Sequence, residues 1–251
     1  AISGRVNPSS GYSFSSFNFS ETPVSEMITE RIGIPVNIDN DTRAMTYGEL
    51  MRGCINGEKD ILYINLSWGL GLGIVINGLV YGGKSGFAGE LGHVNTFDNE
   101  EMCHCGKKGC LETEVSGMAL HRDVLREIRA GKSSILSQRM TDNPDNVIVS
   151  EIVDAVNSDD SLCIELVESI GHKLGKQVAG LINIFNPELV VIGGIIAGAQ
   201  EYLLQPVRQA VRKYSLSLVN RDSRIVCSKL GEKAGVIGTC LLARNKLLEQ
   251  V

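Results

Sequence analysis

The sequence predicts an α/β fold, because strand-like apolar runs alternate with amphipathic helical segments along the chain. The clearest runs are "DILYINLSW" and "ELVVIGG", which have the length and the bounded ends of buried strands. A third observation is the pair Asn77-Gly78 inside "GLGLGIVINGLVYGG", a strong signal for a β-hairpin. Helical patterns are found at 20–36, 39–53, 116–131, 161–187, 199–214 and 234–251.

The first elements have local signals at their ends. The opening twenty residues are rich in Ser, Gly and Asn, which indicates loops or short strands with turns. Within the first pattern, 20–36, Gly33 marks the point past which the helix itself should not run. "PVNI" at 35–38 is typical of a strand, and Asn40 or Asp41 opens the next helix, which Gly53 stops.

The later elements also have residues that mark where they begin or end. Residues 133–160 form a polar, helical excursion after the helix at 116–131. Pro187 ends the long helix, and the helix at 199–214 is predicted in spite of Pro206. "SRIVCSKL" at 223–230 is the last predicted strand, and the chain closes with a helix.

Composition limits the classes of function. The net charge of −5 argues against a chain that binds nucleic acid by itself, since phosphate contacts need a basic face. A length of 251 residues permits one large domain or two small ones. No apolar run reaches the roughly 20 residues that span a bilayer, and the start lacks the basic and apolar regions of a signal peptide. We therefore expect a cytoplasmic protein with no membrane partner.

The segment "CHCGKKGCLE" concentrates three thiols in eight positions, at Cys103, Cys105 and Cys110. The spacing is not that of a redox C-x-x-C pair, and an odd total of seven cysteines makes a disulfide framework a poor explanation. Zinc takes four ligands and favours thiolate and imidazole. The fourth ligand is His93 or the closer His104, and we favour His93, because a side chain between two ligand cysteines should point away.

This arrangement predicts a structural zinc site, with three cysteines in an ordinary loop as the alternative. A closed four-ligand site leaves no position for catalytic water. The scattered cysteines are expected to be spare core thiols: Cys54, Cys163, Cys227 and Cys240.

The stretch "GFAGELGHVNTFDNEEMCHCGKKGCLETEVSG" resembles the signature of the ROK family of repressors, open reading frames and sugar kinases. The resemblance extends to "GRVNPSSGYSFSSFNFS", "PVNIDNDTRAMTYGE", "NIFNPELVVIGG" and "AGVIGTCLLA", and so covers nearly the whole chain. It implies an actin-like, ribonuclease H-like fold of two lobes around a cleft. The small lobe would comprise 1–44 and 236–251, truncated at its N-terminus. The large lobe would comprise 45–235, with the zinc loop at 93–112 and the oligomer interface.

The resemblance also assigns roles to individual residues. The zinc ligands would be His93, Cys103, Cys105 and Cys110. The sugar would be bound by Asn40, Asp41, Glu90, His93 and Glu112, with Asn18 as a further candidate. Asp41 would be the general base if the protein is a kinase, although composition alone favours helix capping for it. Under the same kinase alternative, Mg²⁺-ATP would contact glycines at five positions: Gly69, Gly71, Gly73, Gly193 and Gly194.

Three departures from the kinase pattern favour a sensor. The phosphate-binding string Asp-x-Gly-Gly-Thr does not occur, and "SWGLGLG" places Ser67 and Trp68 where Gly and Thr are expected. Thr42 and Arg43 follow the Asn-Asp pair, as in repressors of the N-acetylglucosamine and glucose type. We therefore expect the sugar-sensing and oligomerisation region of a ROK transcriptional regulator.

Such a region would bind a sugar or sugar phosphate and form a dimer or tetramer. It would meet DNA only through a winged helix outside this chain. The alternative is an ATP-dependent sugar kinase of the glucokinase, fructokinase or N-acetylhexosamine kinase type, and a purely structural zinc protein comes third.

Overall fold

The computed structural model describes residues 1–15, 21–143 and 146–248. Within these ranges the main sheet has five strands in the order β5-β4-β3-β6-β7. These strands are β3 (Ile61–Leu66), β4 (Leu70–Ile76), β5 (Leu79–Val80), β6 (Leu189–Gly193) and β7 (Arg224–Cys227). The three central strands β4, β3 and β6 are almost wholly buried. A separate hairpin near the start joins β1 (Val6–Asn7) to β2 (Tyr12–Ser13).

The sheet is mixed. Strand β3 pairs in parallel with β6, with Ile61 opposite Leu189, and in antiparallel fashion with β4. The helices are α1 (Val24–Ile32), α2 (Asp41–Arg52), α3 (Gly117–Arg129), α4 (Ser137–Asp142), α5 (Val149–Asn157), α6 (Ser161–Phe185), α7 (Glu201–Tyr214), α8 (Ser217–Asp222) and α9 (Lys233–Leu248). Short 3₁₀ turns occur at Leu91–His93, Leu111–Thr113 and Ile195–Ala199.

The two faces of the sheet carry different layers. On one face, Leu62, Ile64 and Ile192 belong to the large core, which α3, α5, α6 and α7 complete. On the other face, Ile61, Tyr63 and Val191 form a smaller core with part of α2. The alternation along β3 follows from the two-residue period of a strand, because successive side chains point to opposite faces.

Glycines hold α2 between the sheet and α9. A Cβ atom at Gly48 would collide with the carbonyl oxygen of Ala234, and one at Gly238 with that of Ala44. On the sheet side, a Cβ atom at Gly73 would collide with Thr46. Close backbone approach on both sides therefore fixes the helix, and with it the position of its first turn.

Most of the predicted elements are present. The α/β alternation is confirmed, and the Asn77-Gly78 hairpin connects β4 to β5 with both residues at positive φ, 53° and 79°. The long helix α6 begins after the N-cap Asp160 and ends at Phe185, where Asn186 adopts φ 44° just before Pro187.

One predicted strand is absent, and one helix of the structure was not predicted. The strand predicted at 35–38 is absent, because the pairing there is limited to a single bridge between Ile2 and Asn40 and Pro35 has no N–H to donate. Helix α8 was not predicted, since its residues are partly or fully exposed and leave no apolar period to detect.

The scattered cysteines are not all core thiols. Cys163 is buried, and Cys54 and Cys227 are half-buried. Cys240 is exposed, so its assignment to the core is wrong. It lies on α9 two residues beyond Gly238, which faces α2, and two residues along a helix bring a side chain to nearly the opposite face.

None of the helices in the described part of the chain is both long and apolar enough to cross a membrane.

Candidate functional site

A cavity of about 600 Å³ lies between the start of α2, the β3–β4 turn and the loop that leads to the cysteine cluster. Five of the six residues that the sequence predicts to bind sugar line this cavity: Asn40, Asp41, Glu90, His93 and Glu112. The sixth, Asn18, lies outside the described residues. Side chains from separate parts of the chain therefore meet around one space large enough for a monosaccharide.

Asp41 stands at the first position of α2, and Asn40 is the N-cap, since its Oδ1 accepts the N–H of Arg43 at 3.0 Å. Oδ1 of Asp41 accepts the N–H of Thr42 at 2.7 Å. Burial raises the pKa of the Asp41 carboxyl, against hydrogen bonds from Thr42 and Ser3 that lower it. Because Asn40 caps the helix, Asp41 is not needed as the cap and can contact a ligand in the cavity. A desolvated carboxylate can accept a proton from a ligand hydroxyl.

The side-chain amide of Asn40 is already engaged. Its Nδ2 donates to the carbonyl oxygen of Gly4 at 2.9 Å and to Oδ1 of Asp41 at 3.1 Å. Its Oδ1 caps α2, so one lone pair of that oxygen remains for a further hydrogen bond. Asn40 therefore orients Asp41 and ties the start of the chain to α2, and its contact with a sugar stays a prediction.

Glu112 supplies a buried carboxylate to the wall of the cavity. The residue is 5% exposed, and its Oε2 accepts the N–H of Leu70 at 2.8 Å. Its Oε1 is buried and accepts no hydrogen bond from the described residues, although Nδ1 of His104 lies 3.0 Å away. A buried carboxylate oxygen needs a donor, and the Nδ1–H tautomer of His104 is placed to supply it.

The ring of His93 links the cavity to the cysteine cluster. Its Nε2 lies 3.7 Å from Oε2 of Glu90, which also lines the cavity. Its Nδ1 lies 3.5 Å from Sγ of Cys103. One ring nitrogen thus faces the candidate sugar site and the other faces the thiols, so an ion held through Nδ1 would fix how Nε2 is presented.

The ligand atoms of His93, Cys103, Cys105 and Cys110 all lie within 4.8 Å of one another. Tetrahedral zinc with ordinary bond lengths requires S···S separations of about 3.8 Å and S···N separations of about 3.5 Å. The Sγ atoms of Cys105 and Cys110 are 3.7 Å apart, and Cys103 Sγ to His93 Nδ1 measures 3.5 Å. The four side chains therefore fit a tetrahedral metal ion.

Local turns bring these ligands together. Gly106 and Gly109 adopt φ values of 85° and 74°, which glycine reaches without strain. The N–H of Gly106 donates to the carbonyl of Cys103 at 2.9 Å, and an isolated bridge pairs Asn95 with Cys110. This bridge places the last cysteine beside the turn that carries His93. Burial raises the pKa of the Cys103 thiol to about 12, so a metal would have to displace its proton.

His104 was expected to point away from the thiols. Its Nδ1 is 3.9 Å from Sγ of Cys103, but the ring also reaches Glu112 and lines the cavity. Nitrogen and oxygen atoms of His93, His104 and Glu112 form a second group that could hold an ion. The cysteine set suits zinc better, because it offers three thiolates and one imidazole.

Packing accounts for the five glycines that the kinase alternative assigns to nucleotide. A Cβ atom at Gly69 would lie 2.7 Å from Oε2 of Glu112. Cβ atoms at the other four would collide with Thr42 (from Gly71), Thr46 (from Gly73), Tyr63 (from Gly193) and the backbone of Leu66 (from Gly194). Gly69 and Gly71 line the main cavity, whereas Gly194 lines a separate one of about 410 Å³. Their contact with a nucleotide stays a prediction.

A hydrogen-bond chain below the cavity was missed by the sequence reasoning. Nδ2 of Asn65 donates to Oγ1 of Thr42 at 3.0 Å, and Oγ of Ser67 donates to Oδ1 of Asn65 at 2.8 Å. The N–H of Ile195 in turn donates to Ser67 Oγ at 3.3 Å. The signal was present, because Asn65 is the one polar residue in the apolar run "ILYINL", and a buried polar side chain needs a partner.

Known proteins resemble this chain in sequence and structure. The glucokinase of Halalkalibacterium halodurans is 33% identical over 246 residues, which is 97% of this chain and 74% of that protein. A crystal structure of a ROK family transcriptional regulator, a homologue of the Escherichia coli MLC protein, superposes with a TM-score of 0.82 at 32% identity. It matches 96% of this chain and 60% of its own.

A ROK family glucokinase from Streptomyces griseus, solved with glucose and AMPPNP, superposes with a TM-score of 0.79 at 28% identity, over 89% of this chain and 73% of its own. The chain thus spans about three quarters of these glucokinases and less than two thirds of the regulator. The fold is the actin-like, two-lobed α/β architecture of these proteins. With a family model that matches residues 1–246, the chain belongs to the ROK family.

Proposed function

We propose that this chain is the sugar-binding and oligomerisation body of a ROK-family transcriptional regulator. The observation that carries the sugar-binding part of the proposal is the convergence of Asp41, Glu90, His93 and Glu112 on one cavity. Carboxylates held on rigid elements accept hydrogen bonds from sugar hydroxyls in defined directions. In the regulator the sugar would be the effector, and DNA would be contacted by a segment outside this chain.

A zinc ion is proposed for His93, Cys103, Cys105 and Cys110. Its contribution would be structural, as a cross-link between the turn at 91–93 and the loop at 103–110. Fixing that loop also fixes Glu90 on one side of His93 and Glu112 just beyond Cys110. The proposed ion would therefore act on sugar binding through the position of these two carboxylates.

The division into lobes is proposed as well, with 1–44 and 236–251 in the small lobe and 45–235 in the large one. Helix α2 would cross from one lobe to the other, and α9 would return to pack against it through Gly48 and Gly238. A sugar held by Asp41 and by Glu112 would then touch both lobes at once, which is how a ligand biases the angle between them.

Calorimetry with a panel of hexoses, N-acetylhexosamines, pentoses and their phosphates tests the proposal. At least one sugar should bind with saturation, and Glu112→Gln should weaken it, because the variant exchanges one acceptor oxygen for an amide. Glu100→Gln is the matched control, since Glu100 lies in the same loop with its side chain 88% exposed. Failure of every sugar to bind would overturn the proposed function.

A sugar kinase is the second candidate, and one observation favours it. Burial raises the pKa of Asp41, as suits a general base that removes a proton from the attacking hydroxyl. Against it, Trp68 occupies the β3–β4 turn where the kinase pattern expects a threonine hydroxyl. Phosphoryl transfer depends on donors placed around the phosphates, and loss of one aligned donor costs roughly 10²–10³ in rate.

The two candidates separate in an assay of the full-length natural protein with Mg²⁺-ATP and the sugar that binds. We expect no sugar-dependent ADP release. Turnover at ordinary kinase rates of about 1–100 s⁻¹, abolished by Asp41→Asn, would establish the kinase and overturn the regulator.

A further inference from the structure

A second cavity of about 360 Å³ lies beside the main one and shares one wall with it. That wall is Trp68, which lines both cavities and is 56% exposed. Its indole stands against the ring of His121 at a centroid distance of 6.2 Å and an interplanar angle of 54°. The side chain of the only tryptophan in the chain therefore lies between the two cavities.

Neighbouring residues connect the two cavities on either side of Trp68. On α3, Met118 lines the main cavity, and His121, one turn later, lines the side cavity. Ser67 lines the main cavity, and its Oγ accepts the N–H of Ile195, which lines the side cavity. Met118 and His121 share one helix, and Ser67 and Ile195 are joined by a hydrogen bond, so the two cavities adjoin at Trp68.

The backbone of the shared wall is fixed. The N–H of Gly117 donates to the carbonyl of Ser67 at 2.7 Å, and the N–H of Met118 donates to the carbonyl of Trp68 at 3.0 Å. A Cβ atom at Gly117 would lie 2.6 Å from that Ser67 oxygen, so the turn and the start of α3 are as close as backbones allow. The indole thus projects from a rigid base, which limits the entropy lost when a ligand stacks on it.

The lining of the side cavity is apolar. Besides Trp68 it consists of aliphatic side chains with two polar ones: Val147, Ile148, Val149, Ile195, His121 and Ser150. No Asp, Glu, Lys or Arg is among the described residues that line it. A phosphate would find no cation there, and a second sugar ring would leave most of its hydroxyls without partners. A flat apolar group would fill it and stack on the indole.

We propose that the side cavity binds the apolar aglycone of a glycoside whose sugar occupies the main cavity. The effector would then be an aryl glycoside rather than a free monosaccharide. This inference rests on the proposed sugar site, but the aglycone contacts are separate from the carboxylates that hold the sugar. It gives Trp68 a binding role in the turn where a kinase would place a phosphate-binding hydroxyl.

The test compares methyl and phenyl glycosides of the sugar that binds, in both anomers, by calorimetry. One phenyl anomer should bind at least about tenfold more tightly than its methyl counterpart, since burial of a phenyl ring is worth that much. Trp68→Ala and Ile148→Ser should each bring the phenyl-to-methyl affinity ratio toward one. Ile148 is 59% exposed, so its replacement should spare the core, and Ile135→Ser at 65% exposure is the control that should keep the ratio.

Fluorescence gives a second readout that depends on location. Because Trp68 is the only tryptophan, a 4-nitrophenyl glycoside bound as proposed should quench the protein emission strongly, and the methyl glycoside should not. Equal affinities for phenyl and methyl glycosides in both anomers, with the free sugar still bound, would overturn this inference and leave the proposed function standing. Two further results would overturn this inference. One is a larger gain in affinity from a disaccharide than from the phenyl glycoside. The other is loss of the affinity difference between phenyl and methyl glycosides in saturating Mg²⁺-ATP. If no sugar binds at all, the proposed function fails and this inference fails with it.

Discussion

Nε of Arg43 donates to Oδ1 of Asp39 at 2.7 Å, and the same guanidinium joins three segments around the candidate site. Its Nη1 donates to the carbonyl oxygen of Gly86, and its Nη2 donates to that of Val6 at 3.2 Å. Arg43 is only 7% exposed. The chain start, the first turn of α2 and the loop that leads to Glu90 are therefore held in one arrangement by a single side chain.

Replacing this side chain tests whether that arrangement matters for binding. Arg43→Lys keeps the charge but loses the planar fork, so it cannot reach all three partners. We expect sugar affinity to fall by about tenfold or more, since hydrogen bonds to charged groups are worth about 1.5–3 kcal/mol. Calorimetry checks this. Arg52→Lys, exposed at the other end of α2, is the control and should bind normally. Unchanged affinity in Arg43→Lys would show that the clamp is not needed.

The cysteine cluster predicts about one zinc ion per chain. Cys105→Ser should lose the metal, lower the melting temperature and weaken sugar binding, because the loop that carries Glu112 is released. Elemental analysis and thermal melts measure the first two effects. Cys240→Ser removes an exposed thiol outside the cluster and should change none of them. A metal-free protein with the same melting temperature and sugar affinity would contradict the assignment.

The buried carboxyl group of Asp41 should make the free energy of unfolding depend on pH. Burial raises the pKa of its carboxyl in the folded state, so the protonated form is the one that folding favours. The resulting stability is present below the unfolded pKa of about 3.9 and is lost as pH rises through the folded pKa.

Asp41→Asn, which stays neutral, should therefore raise the free energy of unfolding at pH 7 relative to wild type, and the gain should disappear near pH 4. Denaturant titrations at the two pH values measure the difference. Asp154→Asn, at an exposed position on α5, is the comparison. A loss of stability at pH 7 in Asp41→Asn would mean that the hydrogen bonds from Thr42 and Ser3 outweigh the burial.

Local patterns in the sequence were enough to predict much of this molecule. Asn77-Gly78 specifies its hairpin, and the C-x-C-x-x-x-x-C spacing gathers three ligands within eight residues, because both signals act over short separations. The prediction of a strand at 35–38 was wrong for the opposite reason. A strand forms only if another strand, often distant in sequence, provides the backbone hydrogen bonds of a ladder.

The contacts of Arg43 and Asn65 were out of reach for a related reason. Arg43 bonds to Gly86, 43 positions away, and Asn65 bonds to Thr42, 23 positions away. Nothing in the residue types alone selects these partners. The hydrophobic period placed α2 and β3, but their mutual orientation depends on the glycines that set how closely they pack.

Self-association is predicted through an apolar surface at the end of α6 and on α8. Ile184, Leu216 and Leu218 are 75%, 65% and 75% exposed, and the N–H of Leu216 donates to Oδ1 of Asn183 on α6. A regulator that reads two half-sites needs two-fold symmetry, so we expect a dimer or a dimer of dimers. Leu218→Glu should shift light-scattering mass toward the monomer at micromolar concentration. Leu79→Glu, 74% exposed on β5, should not. A wild-type monomer would remove the support for this surface.

The packing of α2 on β4 gives the last prediction. Gly73 sits beneath Thr46, and a Cβ atom there would collide with Oγ1 of Thr46, which is itself held by a hydrogen bond to the carbonyl of Thr42 at 2.6 Å. Gly73→Ala should therefore destabilise the protein by about 1–3 kcal/mol, as overpacking does.

Thr46→Ala removes two of the three crowding atoms, Oγ1 and Cγ2, and leaves Cβ at 2.8 Å, so it should relieve most of the collision. The double variant should then be more stable than the sum of the single effects predicts. Gly180→Ala is the control, because a Cβ atom at Gly180 meets nothing within 4 Å and α6 gains a better helix former. Denaturant titration of the four variants measures the coupling. Strict additivity of the two single effects would contradict the collision. Packing against Thr46 would then not explain why residue 73 is a glycine.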